Sequence, residues 1–339
     1  MKNLLLILIV LVSPVFLMAQ DADVVYYEGR PEIRRDGSRG VELDFGDAVR
    51  PGESVVTGRR DFVELDQAGG NIIRVSPDTV FTLREVERDG QRETVMTNTV
   101  GAVSYRFGAL AGRQQRVSSG TVVAGVRGTE FTVFAGSDGS SLFGVDTGMI
   151  TVESAGVEVD LVAGDAVQVV AGEAPGEVVR WLGPALDFSD WEQDRIEAFL
   201  DDPILGLERI QRRMRDFMDD QDAAYAVWQE STSELQEALK ELERLHSEAE
   251  QQNEARDFQR EVVEPLSRAS AIASLNYRYY AVSSFSLRRH VIARMYVNMK
   301  TRYLTDLGNP LFQEFLALHG QVLAEFENRV VPQLTVLDI

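Results

Sequence analysis

From about Asp23 to Trp181, apolar residues come in short β-branched runs that alternate with polar positions and break at glycine-containing turns. Ser54-Val55-Val56-Thr57, Asn71-Ile72-Ile73-Arg74-Val75, Thr79-Val80-Phe81-Thr82-Leu83 and Thr129-Glu130-Phe131-Thr132-Val133-Phe134 have the period and composition of strands. Gln67-Ala68-Gly69-Gly70, Arg88-Asp89-Gly90, Gly136-Ser137-Asp138-Gly139 and Ala155-Gly156 supply residues that tolerate positive φ. This half is predicted to be all-β, a sandwich, barrel or solenoid. No helix-length amphipathic pattern interrupts it, which excludes Rossmann and TIM-barrel architectures.

From Leu186 the period becomes helical and glycine becomes scarce. Ser189 and Glu192 have capping-box spacing, and Asp201-Asp202-Pro203 marks a break and a restart. Leu207, Ile210, Met214, Phe217, Met218, Tyr225 and Trp228 then share one face, and Leu235, Leu239, Leu242 and Leu245 extend it. The charged stretch Glu241 to Glu261 reads as a projecting tip, with the turn at Pro265. A returning helix over about Ser267 to Tyr303 follows, then Gly308-Asn309-Pro310 and a last helix before Pro332. The architecture expected is β then α, with residues 20–183 forming the β unit and residues 184–339 an antiparallel long-helix bundle or coiled-coil hairpin.

At the N-terminus, Lys2 precedes the apolar run Leu4–Val12, and Phe16-Leu17-Met18-Ala19 precedes Gln20-Asp21. Residues 1–19 read as a secretory signal peptide cleaved after Ala19; the alternative is an uncleaved anchor. A periplasmic or secreted location follows, with no integral membrane span after cleavage. The chain has no cysteine, so neither a lipoprotein anchor nor a disulfide can form, and stability must come from its cores. The formal net charge is −20, and all basic residues except Lys2, Lys240 and Lys300 are arginine. Nucleic acid is therefore not expected as a partner, and a surface of acid–arginine pairs is.

Within the β half, Val123-Ala124-Gly125-Val126-Arg127-Gly128-Thr129-Glu130-Phe131-Thr132-Val133 resembles the signature of the FecR domain. Gly46-Asp47, Val55-Val56-Thr57-Gly58, Phe62-Val63-Glu64-Leu65, the segment from Ile72 to Thr79, and Val145 to Val152 with Ala163-Gly164-Asp165 resemble its flanking repeats, over roughly residues 45–172. The resemblance implies a β-rich extracytoplasmic domain, solenoid-like or sandwich-like, used for signalling or binding. FecR regulators carry a cytoplasmic anti-sigma segment and a transmembrane helix before this domain, where this sequence shows a signal peptide, so direct control of a sigma factor does not follow. Phe188, Trp191 and Arg195 resemble the aromatic and arginine residues that follow such domains in exported relatives.

The candidate chemistry is sparse. Gly125, Val126, Arg127, Gly128, Thr129, Glu130 and Phe131 read as structural, with Arg127 and Glu130 pairing across a turn while Val126, Phe131 and Val133 fill the core. His246, His290 and His319 stand apart at no ligand spacing, and Asp219-Asp220-Gln221-Asp222 lacks the glycine and terminal glutamate of an EF-hand loop. No catalytic residue, cofactor or metal is therefore assigned. Arg209, Arg212, Arg213 and Arg215 are expected to pair with the acids that follow them on the same helix. Tyr277-Arg278-Tyr279-Tyr280 is either an interaction strip or bundle packing. The leading expectation is a non-enzymatic envelope protein that binds a protein partner through the β domain, with the helical half as spacer or homo-oligomerisation arm. The alternatives are an envelope sensor and a glycan hydrolase using a carboxylate pair such as Glu64 and Asp66.

Overall fold

A computed structural model describes residues 21–35, 39–67, 70–88, 91–108, 115–247 and 252–334. The signal-peptide segment and the tips of the 67–70 and 88–90 turns lie outside them. The strands are β1 (Ala22–Glu28), β2 (Glu32–Arg35), β3 (Val41–Glu42), β4 (Ala48–Val49), β5 (Glu53–Val56), β6 (Phe62–Gln67), β7 (Asn71–Val75) and β8 (Val80–Arg88). They continue with β9 (Gln91–Arg106), β10 (Gln115–Ser119), β11 (Val123–Ala135), β12 (Ser141–Ser154), β13 (Val157–Val162), β14 (Asp165–Val169) and β15 (Val178–Arg180).

Pairing sorts these strands into two layers. The first contains β3, β2, β5, β8, residues 91–100 of β9, β10, residues 123–127 of β11, residues 149–154 of β12, and β13. The second contains β4, β1, β6, β7, residues 101–106 of β9, residues 130–135 of β11, residues 141–147 of β12, β14 and β15. The long strands β9, β11 and β12 belong to both layers, so a single sheet folds over its own core with barrel-like closure. The β-branched alternation read from the sequence is what fills this core: Val63 and Leu65 of β6, Ile73 and Val75 of β7, and Val126, Phe131 and Val133 of β11 are buried. Tyr105 stacks on Phe131 with ring centroids 4.8 Å apart, beside Phe107 and Phe81.

The second half is helical. Helix α1 (Phe188–Asp201) is capped by Asp187, whose side chain accepts from the Ser189 N–H at 2.7 Å. The expected Ser189–Glu192 box does not form, because Asp187 already holds the cap and the Glu192 carboxylate turns to the β half. Asp202, accepting from Leu205 N–H, separates α1 from α2 (Pro203–Ser247), one uninterrupted helix about 68 Å long. The return comprises α3 (Gln252–Phe258), α4 (Glu264–Ser286) and α5 (Ala293–Arg302), joined by π-helical turns at Gln259–Val263 and Leu287–Ile292. Pro265 is thus not the hairpin turn. It sits in the first turn of α4, directly after the first π-turn, where the missing proline N–H and the bulk of its ring are accommodated. The connection between α2 and α3 lies at residues 248–251, outside the described residues. Asn309 caps α6 (Pro310–Arg329), and α7 (Val331–Leu334) follows.

Near the β unit, α2, α5, α6 and the second π-turn share a core of Leu207, Ile210, Met214, Ile292, Met295 and Phe315. Beyond Met218 and Ala281, α2 runs against α3 and α4 as a two-helix arm whose buried positions include Ala238, Leu245, Ala255, Val263 and Ala273. Leu239, expected on the apolar stripe, is 46% exposed, and Ala238 takes the inward position.

Candidate functional site

The segment Gly125–Phe131 is the corner at which β11 passes from one layer to the other. Val126 and Arg127 pair with Ile150 and Met149, a bulge follows, and Glu130 and Phe131 pair with Thr147 and Val145 of β12 and with Arg106 and Tyr105 of β9. No turn separates Arg127 from Glu130: both belong to one bulged strand. Glu130 is partly exposed, and its backbone N–H donates to Thr147 Oγ1 at 3.2 Å. The Arg127 side chain lies outside the described residues. Thr129 is buried and its hydroxyl donates to the Met149 carbonyl. Gly148 stands opposite at φ +82, where a Cβ would come within 2.7 Å of the Gly128 carbonyl oxygen. The backbone of these residues forms the bend between the layers.

A second constellation joins the halves. Phe188 and Trp191 of α1 pack on Phe134 of β11, with ring centroids 5.4 and 5.7 Å away, over Ala102, Leu142 and Ala166. Trp191 Nε1 donates to Gln168 at 3.1 Å, and Glu192 accepts from Ser137 N–H at 3.1 and 3.2 Å. Two acids meet there. A Cβ on Gly136 would lie 2.7 Å from Asp138 Oδ1 and 3.2 Å from Glu192 Oε2. Burial raises the pKa of both, opposed by hydrogen bonds from Ser140 to Asp138 and from Ser137 to Glu192, and by the charges of Arg195 and Arg294 respectively. Beside them opens a groove of about 630 Å³ lined by Arg59, Asp78, Phe188, Glu192 and Arg294.

The tyrosine strip divides on folding. Tyr277 is fully buried, stacked on Trp228 at 5.4 Å and donating through its hydroxyl to the Gln333 carbonyl at 2.8 Å, which removes it from any surface. Tyr280 packs against the helical core, Tyr279 faces the β unit beneath Arg84, and Arg278 is exposed. Helical geometry dictates this split, since adjacent residues point about 100° apart. His319 stacks on Tyr296, His246 is exposed, and His290 lies among arginines. Asp219 and Asp222 hold Arg329 of α6 at 2.8 and 2.6 Å. Of the arginines expected to pair within α2, Arg213 does so with Asp216, whereas Arg209 reaches Glu173 of the β half and Arg215 reaches Glu325 of α6. Arg209 has no acid at i+3 or i+4, and the i+4 acid of Arg215, Asp219, is held by Arg329, so both reach across elements. Among the described residues no helix is long and apolar enough to cross a membrane.

Glu192, Asp138 and Arg84 gain their partners from chain segments far apart in sequence, and the turn that marks Asp138 says nothing of its meeting with Glu192. Glu192 was visible only as half of a capping box.

The sequence profile of the FecR protein family matches residues 53–151. Two crystal structures of a candidate anti-sigma factor from Parabacteroides distasonis ATCC 8503 align at 15% identity with TM-scores of 0.31. The alignments cover 38% and 41% of this chain and 58% and 63% of that protein, less than two thirds of its length. None of the curated proteins matches the sequence. The β unit, with its signature at the corner of β11, therefore carries a FecR domain at residues 53–151, followed by a long-helix half.

Proposed function

We propose that the chain is an exported, non-catalytic interaction module of the bacterial envelope, in which the FecR domain engages a protein partner and the helical half acts as a spacer or self-association arm. The observation that carries this reading is the FecR match over residues 53–151, a domain whose signature residues are here committed to building the sheet corner. The apolar run and Ala19 at the N-terminus support export. The hydrolase reading gains nothing from Glu64 and Asp66: Glu64 pairs with Arg74 at 2.8 Å, and Asp66 accepts from Gly70 N–H at 2.8 Å.

Fractionation of bacteria producing the chain with a C-terminal tag tests export. The expected product is in the periplasm or medium and begins at Gln20. Retention in the cytoplasm with an intact N-terminus would overturn the reading.

A further inference from the structure

In a chain of net charge −20, one furrow has more arginines than acids in its lining. Two adjoining depressions lie where β2, β5 and β8 meet α4 and the second π-turn, and they share Arg35, Thr82, Arg84 and Val282. Six arginines line them (Arg34, Arg35, Arg50, Arg84, Arg278 and Arg289) against two glutamates, Glu53 and Glu85. The larger depression has a volume of about 390 Å³.

The arginines are not equivalent. Arg84, 6% exposed, is fixed by hydrogen bonds to Ser283 Oγ at 2.6 Å and the Tyr279 carbonyl at 3.3 Å, with its guanidinium 5.6 Å from the Tyr279 ring centroid. Arg34 and Arg35 are paired with Glu32 and Glu53, each at 2.7 Å. Arg278 and Arg289, one at each end, are exposed and have no ion pair among the described residues. Burial, joined by the charges of Arg289, Arg294, Arg34 and Arg84, lowers the pKa of neighbouring His290 to about 4. The π-turn that carries Arg289 and His290 is an irregularity often found at functional positions in helices.

We propose that this furrow docks an acidic peptide segment of a partner protein, with Arg278 and Arg289 each taking a carboxylate and Tyr279 supporting an apolar side chain between them. Arginine forks onto carboxylates, and eleven residues along the helix separate the two anchors by about 16 Å, the reach of roughly five extended residues. Pro51, Leu275, Val282 and Tyr279 give the furrow an apolar wall that a compact inorganic anion would leave without contact. This inference rests on the reading of the chain as an interaction module.

The test is fluorescence anisotropy on the full mature chain, with a fluorescein-labelled decapeptide of alternating Glu and Leu and a twin carrying Gln for Glu. The Glu peptide is expected to bind at low salt and weaken as salt rises, while the Gln twin does not bind. The double variant Arg278→Glu, Arg289→Glu should bind at least about tenfold more weakly with an unchanged melting temperature, since both side chains are exposed. Equal binding by the variant, equal binding of the twin, or no binding of the Glu peptide would each overturn the proposal. So would inorganic polyphosphate binding in place of the peptide. An exported wild-type chain whose envelope partner is retained by the double variant would sink the furrow and leave the interaction reading standing; failure of export would sink that reading alone.

Discussion

Gly101 sits where β9 leaves the first layer, at φ +103, and a Cβ there would lie 2.5 Å from the Cα of Thr79. The Thr79 backbone blocks it together with the Thr79 hydroxyl, so a side-chain shift alone cannot make room. Gly101→Ala is therefore expected to destabilise the protein by about 2–4 kcal/mol, and Gly156→Ala, at φ +73 with open space around it, by about 1 kcal/mol; thermal or urea melts compare the two. His290 provides a pH signature. Its folded pKa of about 4 lies below the ordinary 6.5, so the unfolded chain binds more protons between those values, and the stability this group contributes is lost as pH falls from 6.5 to 4. The full shift corresponds to roughly 3 kcal/mol. Asp138 and Glu192 act in the opposite sense, since their raised pKa values make the folded state the better proton binder in acid. His290→Gln should therefore flatten the decline of stability from pH 6.5 to 4 in urea titrations, and an unchanged slope would contradict the assignment.

At the scale of elements, the all-β first half, the turns at 136–139 and 155–156, the break at Asp202-Pro203 and the start of the last helix at Pro310 were legible, because each follows from local rules of period, φ and capping. What was not legible depended on partners far along the chain. Ser189 and Glu192 have the spacing of a box, yet the Ser137 N–H of the β unit competes for the same carboxylate. Pro265 looked like a turn, but a π-turn absorbs it within the helix. The Gly125–Phe131 signature was recognisable as a motif, whereas its role as a corner between layers needed the pairing of β9, β11 and β12. The seam formed by Trp191 and Phe188 predicts coupling between the halves. Trp191→Ala removes a side chain only 6% exposed and should cost about 3–5 kcal/mol, splitting one calorimetric transition into two as the helices undock from the β unit.

For the whole molecule, the places where the two halves bury groups against one another include Trp191 over Phe134, Arg84 over Tyr279, and Ile210 beside Gly139, where a Cβ would come within 2.4 Å of Ile210 Cδ1. The two-helix arm extends beyond this body, past the Tyr225, Trp228 and Tyr277 rings and the Thr232–Ser270 hydrogen bond. Replacing residues 233–269 by a short turn should leave the melting of the rest within about 1 kcal/mol, because the shared core ends before that point, and should abolish any self-association detected by light scattering. A binding surface on such a body is composite, and the arginine furrow belongs to both halves.

The most direct test of the interaction reading is chemical crosslinking in intact cells that produce the tagged full chain, followed by mass spectrometry of the crosslinked peptides. Crosslinks from the chain to one discrete extracytoplasmic protein are expected. Crosslinks confined to copies of the chain itself, made through residues 186–334, would contradict it and mark the protein as an assembly component instead.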